Sequence, residues 1–532
     1  MQSGNNISSS LEHWARVSGG RIAVRYNSGR FTYGQFWQAI TSTAAVFRKL
    51  AIMPRDRVAI FIENRPESLI AALAAAAVGA VFVPINHMLR TRQVMHILSH
   101  SGAACLVSSA SRLQTLAPAL GGAADIRLIA IDPLPENPGL EIACLADERA
   151  AASGEGGELA ATIDDDPAAI FYTSGSTGLP KGVLVSHRSL VQGAFAVASF
   201  LEIACSDRLL CALPLSFDAG FNQAMTALVS GGTAVLYNYM RAVDLVRHCD
   251  VMEITGMTGV PPLWIDLSTV AWPESARMRL RYFANTGGRM PETTLQRLRS
   301  LLPAAKPYLM YGFTEAFRST YLHPSRVDEK PGSVGKALPN ARVTVRRPDG
   351  TLCDAGEVGE LVHVGACAAL GYWNDPEATA KRFRSNEIEY GGLRRRETAV
   401  WSGDLAYQDK DGFLYFVGRK DAMIKTNGIR VSPTEIEEVA LGSGAVREAV
   451  AVGVPDSRNG QVVGLVVTAS GQSNSTSLED LLIQHCRAVL PAYMIPARIR
   501  VVPEIPRSPN GKFDRNWCLD LLVRGRTEEL TA

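Results

Sequence analysis

The chain holds 532 residues, 47% hydrophobic and 20% charged, and its 54 Lys+Arg against 52 Asp+Glu leave a net charge of +2. That length suffices for two or more sizeable cores, and the composition excludes disorder, a collagen repeat and a small disulfide scaffold. So even a charge balance also argues against a polyanion-binding surface, and nucleic acid is not an expected partner.

The N-terminus is polar for ten residues and lacks the basic start and apolar core of a secretory signal. Short apolar runs from Arg21 onward pass into an Ala-rich helical stretch ending near Leu50. The strand VAIFIEN (Val58 to Asn64), the Ala-rich helix Ser68 to Val78 and the strand AVFVPIN then give the order in which parallel α/β sheets are written. The most apolar stretch, Leu69 to Val83, is about 15 residues long and broken by Gly79 and Pro84, short of the ~20 that cross a bilayer. Further α/β units start near Ala104 and Leu128. A Gly/Ala/Glu-rich surface connection follows over 151–161, then the strand AAIFYTS, a Gly-rich loop and the strand GVLVSH. The α/β pattern runs to YLMYGFTE near residue 310.

Between 341 and 418 the runs shorten (ARVTVRR, GELVHVG, GFLYFVG) and alternate with turns, which predicts a β-rich subdomain. Beyond it, SPTEIEEVA predicts a helix with Ser432 as N-cap and Glu435 three residues on. Two strands, EAVAVGV and QVVGLVVTAS, and a helix from Leu478 to Leu490 complete a small α+β unit. The expected fold is α/β: a large multilayer N-terminal domain with parallel sheets over 1–420, including the β-rich subdomain, and a small mobile α+β lid over 421–532. The nine cysteines are odd in number and scattered, with no C-x-x-C spacing, and read as reduced packing residues of a cytoplasmic protein.

Tyr172 to Gly182 reads YTSGSTGLPKG, which offers backbone N–H groups, hydroxyls and one cation to an anion, the chemistry of phosphate binding. It does not fit the Walker pattern. Gly/Ser/Thr clusters are usually plain turns, but a whole loop of this order is hard to reach by accident.

With this loop stand AAAVGAVFVPIN, LPLSFDAG, GVPPLW, NTGGRMP, YGFTEA, GELVHVG, GYWNDPEAT, WSGDL, GRKDAMIKTNGIRVSPTEIE and PNGKFDR, in order over nearly the whole chain. On these motifs the chain resembles the adenylate-forming superfamily of acyl-CoA synthetases, peptide-synthetase adenylation domains and luciferases. SFDAGFNQ with YGFTEAFRSTYL is most similar to the AMP-forming acyl-CoA ligases found beside exosortase A systems. The resemblance implies two half-reactions. A carboxylate attacks the α-phosphate of ATP to give an acyl-adenylate and pyrophosphate; a thiol, of CoA or of a separate acyl carrier protein's phosphopantetheine, then takes the acyl group and releases AMP.

The resemblance also implies residue roles. Thr173, Ser174, Gly175, Ser176, Thr177, Gly178 and Lys181 would hold the β- and γ-phosphates, Glu315 would help place Mg2+, and Thr314 would meet the α-phosphate. Tyr311, followed by Gly312, would stack on adenine with the Gly288 backbone opposite, while Asp404 and Arg419 would bind the ribose. Lys512 would bridge the attacking carboxylate and the α-phosphate. Asp421 would be the hinge, and Gly428 would let a pantetheine arm pass. Phe217, Asp218, Asn222, Pro262, Trp264 and Gly287 would line the acyl pocket, although the aromatic and Pro residues suit a core equally well.

Asp218 matches the aspartate that pairs with the substrate ammonium in amino-acid-activating members. A buried aspartate calls for such a partner, but Arg318 or neighbouring backbone would serve without any amine. An acid or an amino acid as substrate therefore both stand. A luciferase-like oxidoreductase, an enzyme stopping at acyl-AMP, and a non-catalytic homologue are the rival readings; the IKTNGIR segment speaks for the thiol step, and Lys181, Glu315, Asp404, Arg419 and Lys512 together speak against loss of catalysis.

Overall fold

The computed structural model describes residues 6–121, 126–134, 140–151, 159–173, 180–420, 422–426, 429–456, 460–471, 475–507 and 511–529. Strands with both faces covered can be apolar throughout, and two large sheets are built this way. The first has eight strands, in the order Gly371–Tyr372, Lys181–Ser186, Pro167–Thr173, Val81–Pro84, Arg57–Phe61, Ala103–Ser108, Arg127–Ala130 and Ile142–Cys144. The second has nine: Lys336–Ala337, Thr320–Leu322, Lys306–Tyr311, Tyr282–Asn285, Gly256–Gly259, Arg208–Cys211, Thr233–Leu236, Ile22–Tyr26 and Gly29–Thr32. The strand Ile22–Tyr26 thus pairs in parallel with Thr233–Leu236, far along the chain.

Helices packed with both sheets form the largest core. Pro66–Ala77 carries Pro in its first turn, an apolar, Ala-rich sequence and no exposed face, the pattern of a fully buried helix. Helix Asp218–Val229 is buried from Gly220 onward, with Phe221 wedged against Phe82 at 5.0 Å between ring centres and Phe171 at 6.0 Å. Helix Tyr33–Lys49 starts on a reciprocal cap: Thr32 Oγ1 accepts from Gln35 N, and Gln35 Oε1 accepts from Thr32 N. No helix among the described residues is long and apolar enough to cross a membrane.

A five-stranded antiparallel sheet occupies 341–419. Its longest hairpin, Phe383–Tyr390 with Leu393–Gln408, is missing from the short runs expected there. Gly391 and Gly392 both take positive φ at its tip, as a two-residue turn demands. The C-terminal unit sets another five strands against helices Pro433–Gly442, Ser475–Val489 and Arg515–Glu529. The N-cap expected at Ser432 is found there, without a capping bond. The hydroxyl proton goes to a tertiary acceptor, Val417 O on the neighbouring strand, while no helix N–H donates to the hydroxyl oxygen.

Candidate active site

The strand Lys306–Tyr311 ends at a tight reversal: Gly312, Phe313, the 3-10 turn Thr314–Ala316, Phe317, and then the returning strand Thr320–Leu322. Phe317 holds φ +50°, ψ −51°, a conformation a bulky residue keeps only when its surroundings enforce it. They do so: its buried ring lies against Gly193, where an added Cβ would stand 2.6 Å from Phe317 Cδ1. The reversal delivers Tyr311, Thr314, Glu315 and Arg318 to one place.

On one side, Tyr311 Oη donates to Asp404 Oδ2 at 2.6 Å. Asp404 is the register partner of Arg419 on the adjacent strand, and Arg419 Nη1 stands 3.0 Å from Asp404 Oδ1. Although that oxygen faces a cation, it is buried and accepts no hydrogen bond from a described residue. Burial raises the Asp404 carboxyl above its ordinary value, opposed by Arg419, Tyr311 and Lys512. Burial, then the Asp404 charge, pushes the Tyr311 phenol well up. Glu360 fixes the turn beneath by accepting from Gly403 N at 2.9 Å and pairing with Lys420 at 3.0 Å.

On the opposite side, Thr173 and Lys181 are register partners across the antiparallel strands that flank the Gly-rich loop. Ser174, Gly175, Ser176, Thr177 and Gly178, also expected to hold phosphates, lie outside the described residues. Lys181 Nζ is 3.1 Å from Asp375 Oδ2 and 5.6 Å from the centre of the Tyr372 ring. Asp375 caps helix Pro376–Arg382 through Ala378 N, and that bond, then Lys181, keeps its carboxyl below the ordinary range. Tyr372 Oη donates to Glu315 Oε1, and Arg382 Nε lies 3.9 Å from the same oxygen.

Between these groups, Asp218 opens helix Asp218–Val229. Thr314 Oγ1 is 3.5 Å from its Oδ1, at the edge of hydrogen-bonding range, and Arg318 Nη1 is 3.7 Å from its Oδ2. Burial raises Asp218, with Arg318 as the largest opposing charge; burial also lowers Arg318 from its ordinary value. Phe217 is half-buried next to it and Asn222 is buried one turn along. Gly287 and Gly288 are exposed on a loop held by Asn285 Nδ2, which donates to Gly288 O at 2.7 Å. Pro262 is buried at the start of helix Pro261–Leu267. Trp264 is also wholly buried, 5.5 Å from Phe283 between ring centres in a hydrophobic core.

Lys512 comes from the C-terminal unit. Its ammonium lowers the carboxyls of both Asp218 and Asp404. The preceding Gly511 lies against the large domain, where an added Cβ would stand 3.9 Å from Val260 Cγ2. Asp421 and Gly428 are outside the described residues. Tyr372, Asp375, Arg382 and Glu360 join the site without being marked by their motifs, although the first three lie in or just beyond GYWNDPEAT and the last in GELVHVG.

The AMP-binding enzyme family matches residues 11–373 and the AMP-binding enzyme C-terminal domain residues 435–512. A feruloyl-CoA synthase from Amycolatopsis sp is 30% identical over 503 residues, 94% of this chain and 95% of the relative. The long-chain-fatty-acid–CoA ligase FadD13 from Mycobacterium tuberculosis is 32% identical over 496 residues, 91% and 92% of the two chains. The structure of o-succinylbenzoate CoA synthetase from Bacillus subtilis with ATP and magnesium ion superposes with a TM-score of 0.79 at 26% identity, covering 96% of this chain and 99% of that one.

Proposed function

The chain belongs to the family of AMP-binding enzymes, and on that premise we propose how its own residues divide the work of an ATP-dependent, AMP-forming acid–thiol ligase. The observation that carries the reading is the pairing of Tyr311 with a buried Asp404 whose second oxygen lacks a hydrogen bond. Arg419 at 3.0 Å offsets the charge of that oxygen, and a ribose hydroxyl would complete it with a hydrogen bond. Tyr311 holds the carboxylate in place and offers its ring to adenine, with the Gly288 loop opposite, and Arg419 adds donors to the ribose. Thr314 meets the α-phosphate, while Thr173, Lys181 and the loop between them hold the β- and γ-phosphates.

No cluster of three His, Cys, Asp or Glu among the described residues suits a metal ion. The single carboxylate of Glu315, steadied by Tyr372 and Arg382, fits Mg2+, which is usually held by one or two carboxylates together with substrate phosphates. Bound there, the ion would offset triphosphate charge. Lys512 carries the chemical step. Its ammonium neutralises charge where the acid's carboxylate attacks the α-phosphate, and so acts mainly on the transition state. The P–O bond to pyrophosphate breaks as the acyl–phosphate bond forms. A thiol then displaces AMP, for which the lid beyond residue 420 turns about Asp421 and brings Gly428 to the site.

CoA is the favoured acceptor because the stand-alone CoA ligases above match over almost their whole length; a carrier protein in trans is the alternative. The acid lacks an ammonium partner for Asp218, since Arg318 already neutralises that carboxylate. The finer likeness, to ligases beside exosortase A systems, belongs to the same proposal, as does a cytoplasmic setting for nine free cysteines. The test is acid-dependent ATP–pyrophosphate exchange with Mg2+, followed by CoA-dependent release of AMP. Exchange without any thiol-dependent AMP release would overturn the second half-reaction.

A further inference from the structure

Lys512 is exposed, in the segment that leads from the strand Arg498–Val501 to the helix Arg515–Glu529. A lysine ammonium is a point charge on a flexible stem, and such a charge serves a transition state only when it is held in place beforehand. The residues on either side of Lys512 provide a hold. Arg507 and Phe513 form an antiparallel bridge, and Asp514 N donates to Pro506 O at 2.8 Å. The segment is thereby closed at its base, with Lys512 just inside the closure.

One ion pair ties this closure to the body of the C-terminal unit. Arg507 Nη2 lies 2.5 Å from Glu448 Oε1, and Thr468 Oγ1 donates to the other carboxylate oxygen at 3.3 Å. Glu448 is only 3% exposed and is the register partner of Thr468 in the paired strands Val446–Asp456 and Gly460–Ala469. The Arg507 guanidinium also lies over the Phe513 ring, 4.9 Å from its centre. Contact therefore runs without a gap from a buried carboxylate, through Arg507, to the ring of the residue next to Lys512. A second pair fastens the helix that follows: Arg515 Nη1 donates to Ala451 O at 2.6 Å, and Arg515 Nη2 meets Glu437 Oε1 at 2.7 Å. A buried ion pair is weak evidence of stability, so stability alone does not account for a carboxylate buried to meet Arg507.

We propose that Arg507, held by Glu448 and stacked on Phe513, is a positioning residue that orients Lys512 for adenylation. The inference rests on the role given to Lys512 above and deepens it. Glu448, Thr468, Arg507 and Phe513 all belong to the C-terminal unit, so their contacts travel with the lid and present the lysine already oriented when the lid closes for the first half-reaction. The second half-reaction, in which the lid has turned and Gly428 faces the site, does not use them.

The test is ATP–pyrophosphate exchange by the full-length protein with Mg2+ and the fastest acid among acetate, hexanoate, decanoate, palmitate, benzoate, ferulate and the common amino acids. Arg507→Met keeps the apolar stem and removes the fork. Because misplacing a reacting group by about 1 Å costs about 10²-fold, this variant should lower kcat for exchange by about 10- to 100-fold, with KM for ATP within about threefold. Release of AMP from the synthetic acyl-adenylate by CoA or by pantetheine should stay within about threefold of wild type. Mere loosening of the lid would slow both halves. Arg507→Met/Lys512→Ala should be no slower than Lys512→Ala alone, because Arg507 acts only through the lysine. Should Arg507→Met fail to fold, Phe513→Leu, which leaves the buried pair intact, decides by the same split with a loss of about three- to tenfold. Equal losses in both half-reactions, additive losses in the double variant, or exchange as fast as wild type would overturn the inference and leave the ligase reading intact. Silence of the wild type with every acid would overturn both.

Discussion

Tyr311 Oη and Asp404 Oδ2 meet at 2.6 Å across ninety-three residues of chain, and the phenol belongs to one sheet while the carboxylate belongs to another. The bond therefore ties the two sheets together at the site proposed for adenosine. Tyr311→Phe keeps the ring and removes the bond. With a hydrogen bond to a charged group worth roughly 1.5–3 kcal/mol, KM for ATP in the exchange assay should rise about tenfold or more. An unchanged KM would mean that Asp404 needs no help in finding its ligand.

On the proposed reading, Lys512 separates binding from chemistry. Its charge reaches Asp218 and Asp404, yet its side chain is exposed and it comes from the lid. Lys512→Ala should lower the rate of adenylation by about 10²–10³-fold, the usual cost of removing a preorganised stabilising charge. ATP affinity, measured by equilibrium binding, should move by less than about threefold. Undiminished turnover would remove the lysine from the mechanism.

The Asp218–Arg318 pair predicts a stability effect that a substrate-binding aspartate does not. Arg318 is 4% exposed, so Asp218→Asn leaves a buried guanidinium uncompensated, at a cost of roughly 3–5 kcal/mol. The double variant Asp218→Asn/Arg318→Met should recover much of that loss in denaturant unfolding, giving a coupling between the two sites. Additive losses would show the pair to be independent.

Gly193 lies inside helix His187–Phe200, where alanine would ordinarily stabilise by about 1 kcal/mol. Here the new methyl meets the Phe317 ring at 2.6 Å and Asn222 Nδ2 at 3.3 Å. Overpacking of about 1–3 kcal/mol should outweigh the helical gain. Gly193→Ala should lower the melting midpoint and also slow adenylation several-fold, because Phe317 sets where Arg318 and Glu315 stand.

Lid docking should depend on pH through Glu438. This residue of helix Pro433–Gly442 faces Arg289 of the large domain at 2.5 Å. Burial nonetheless lifts its carboxyl from 4.5 to about 7; Arg289 opposes that, and Glu437, Glu435 and Glu292 add to it. On the proposed lid motion, undocking exposes Glu438 and returns its carboxyl toward 4.5, so the docked state keeps its proton to higher pH. Docking is fully favoured below about pH 4.5, weakens as the pH rises, and has lost the whole contribution above about 7. Fluorescence transfer between the domains should fall from pH 5.5 to 8, and Glu438→Gln should flatten that profile.

Tyr311, Thr314, Glu315, Asp404 and Lys512 were legible because each sits in a short motif whose order along the chain is itself informative. The groups that steady them were not. Tyr372 reaches Glu315 across fifty-seven residues, and nothing local in GYWND says that the tyrosine points there. Trp264 was ambiguous for a plainer reason: an aromatic beside two prolines suits a pocket wall and a core alike, and the fold buries it. Ser432 stands at the N-cap that its spacing predicts, but its hydroxyl donates to Val417 O and accepts no bond from the helix. The long hairpin did leave a signal in its Gly391–Gly392 pair, flanked by residues free to alternate, which the shorter neighbouring runs obscured.

The parallel pairing of Ile22–Tyr26 with Thr233–Leu236 bears on how the chain is made. About two hundred residues separate the partners, and at some 5–20 residues per second a ribosome takes roughly 10–40 s to supply the second after the first. Throughout that interval the first hairpin has an open edge and no sheet to join. The earliest strands to be synthesised thus wait for a partner made some two hundred residues later, and the nascent chain passes through a stage in which its own beginning must be kept from pairing elsewhere.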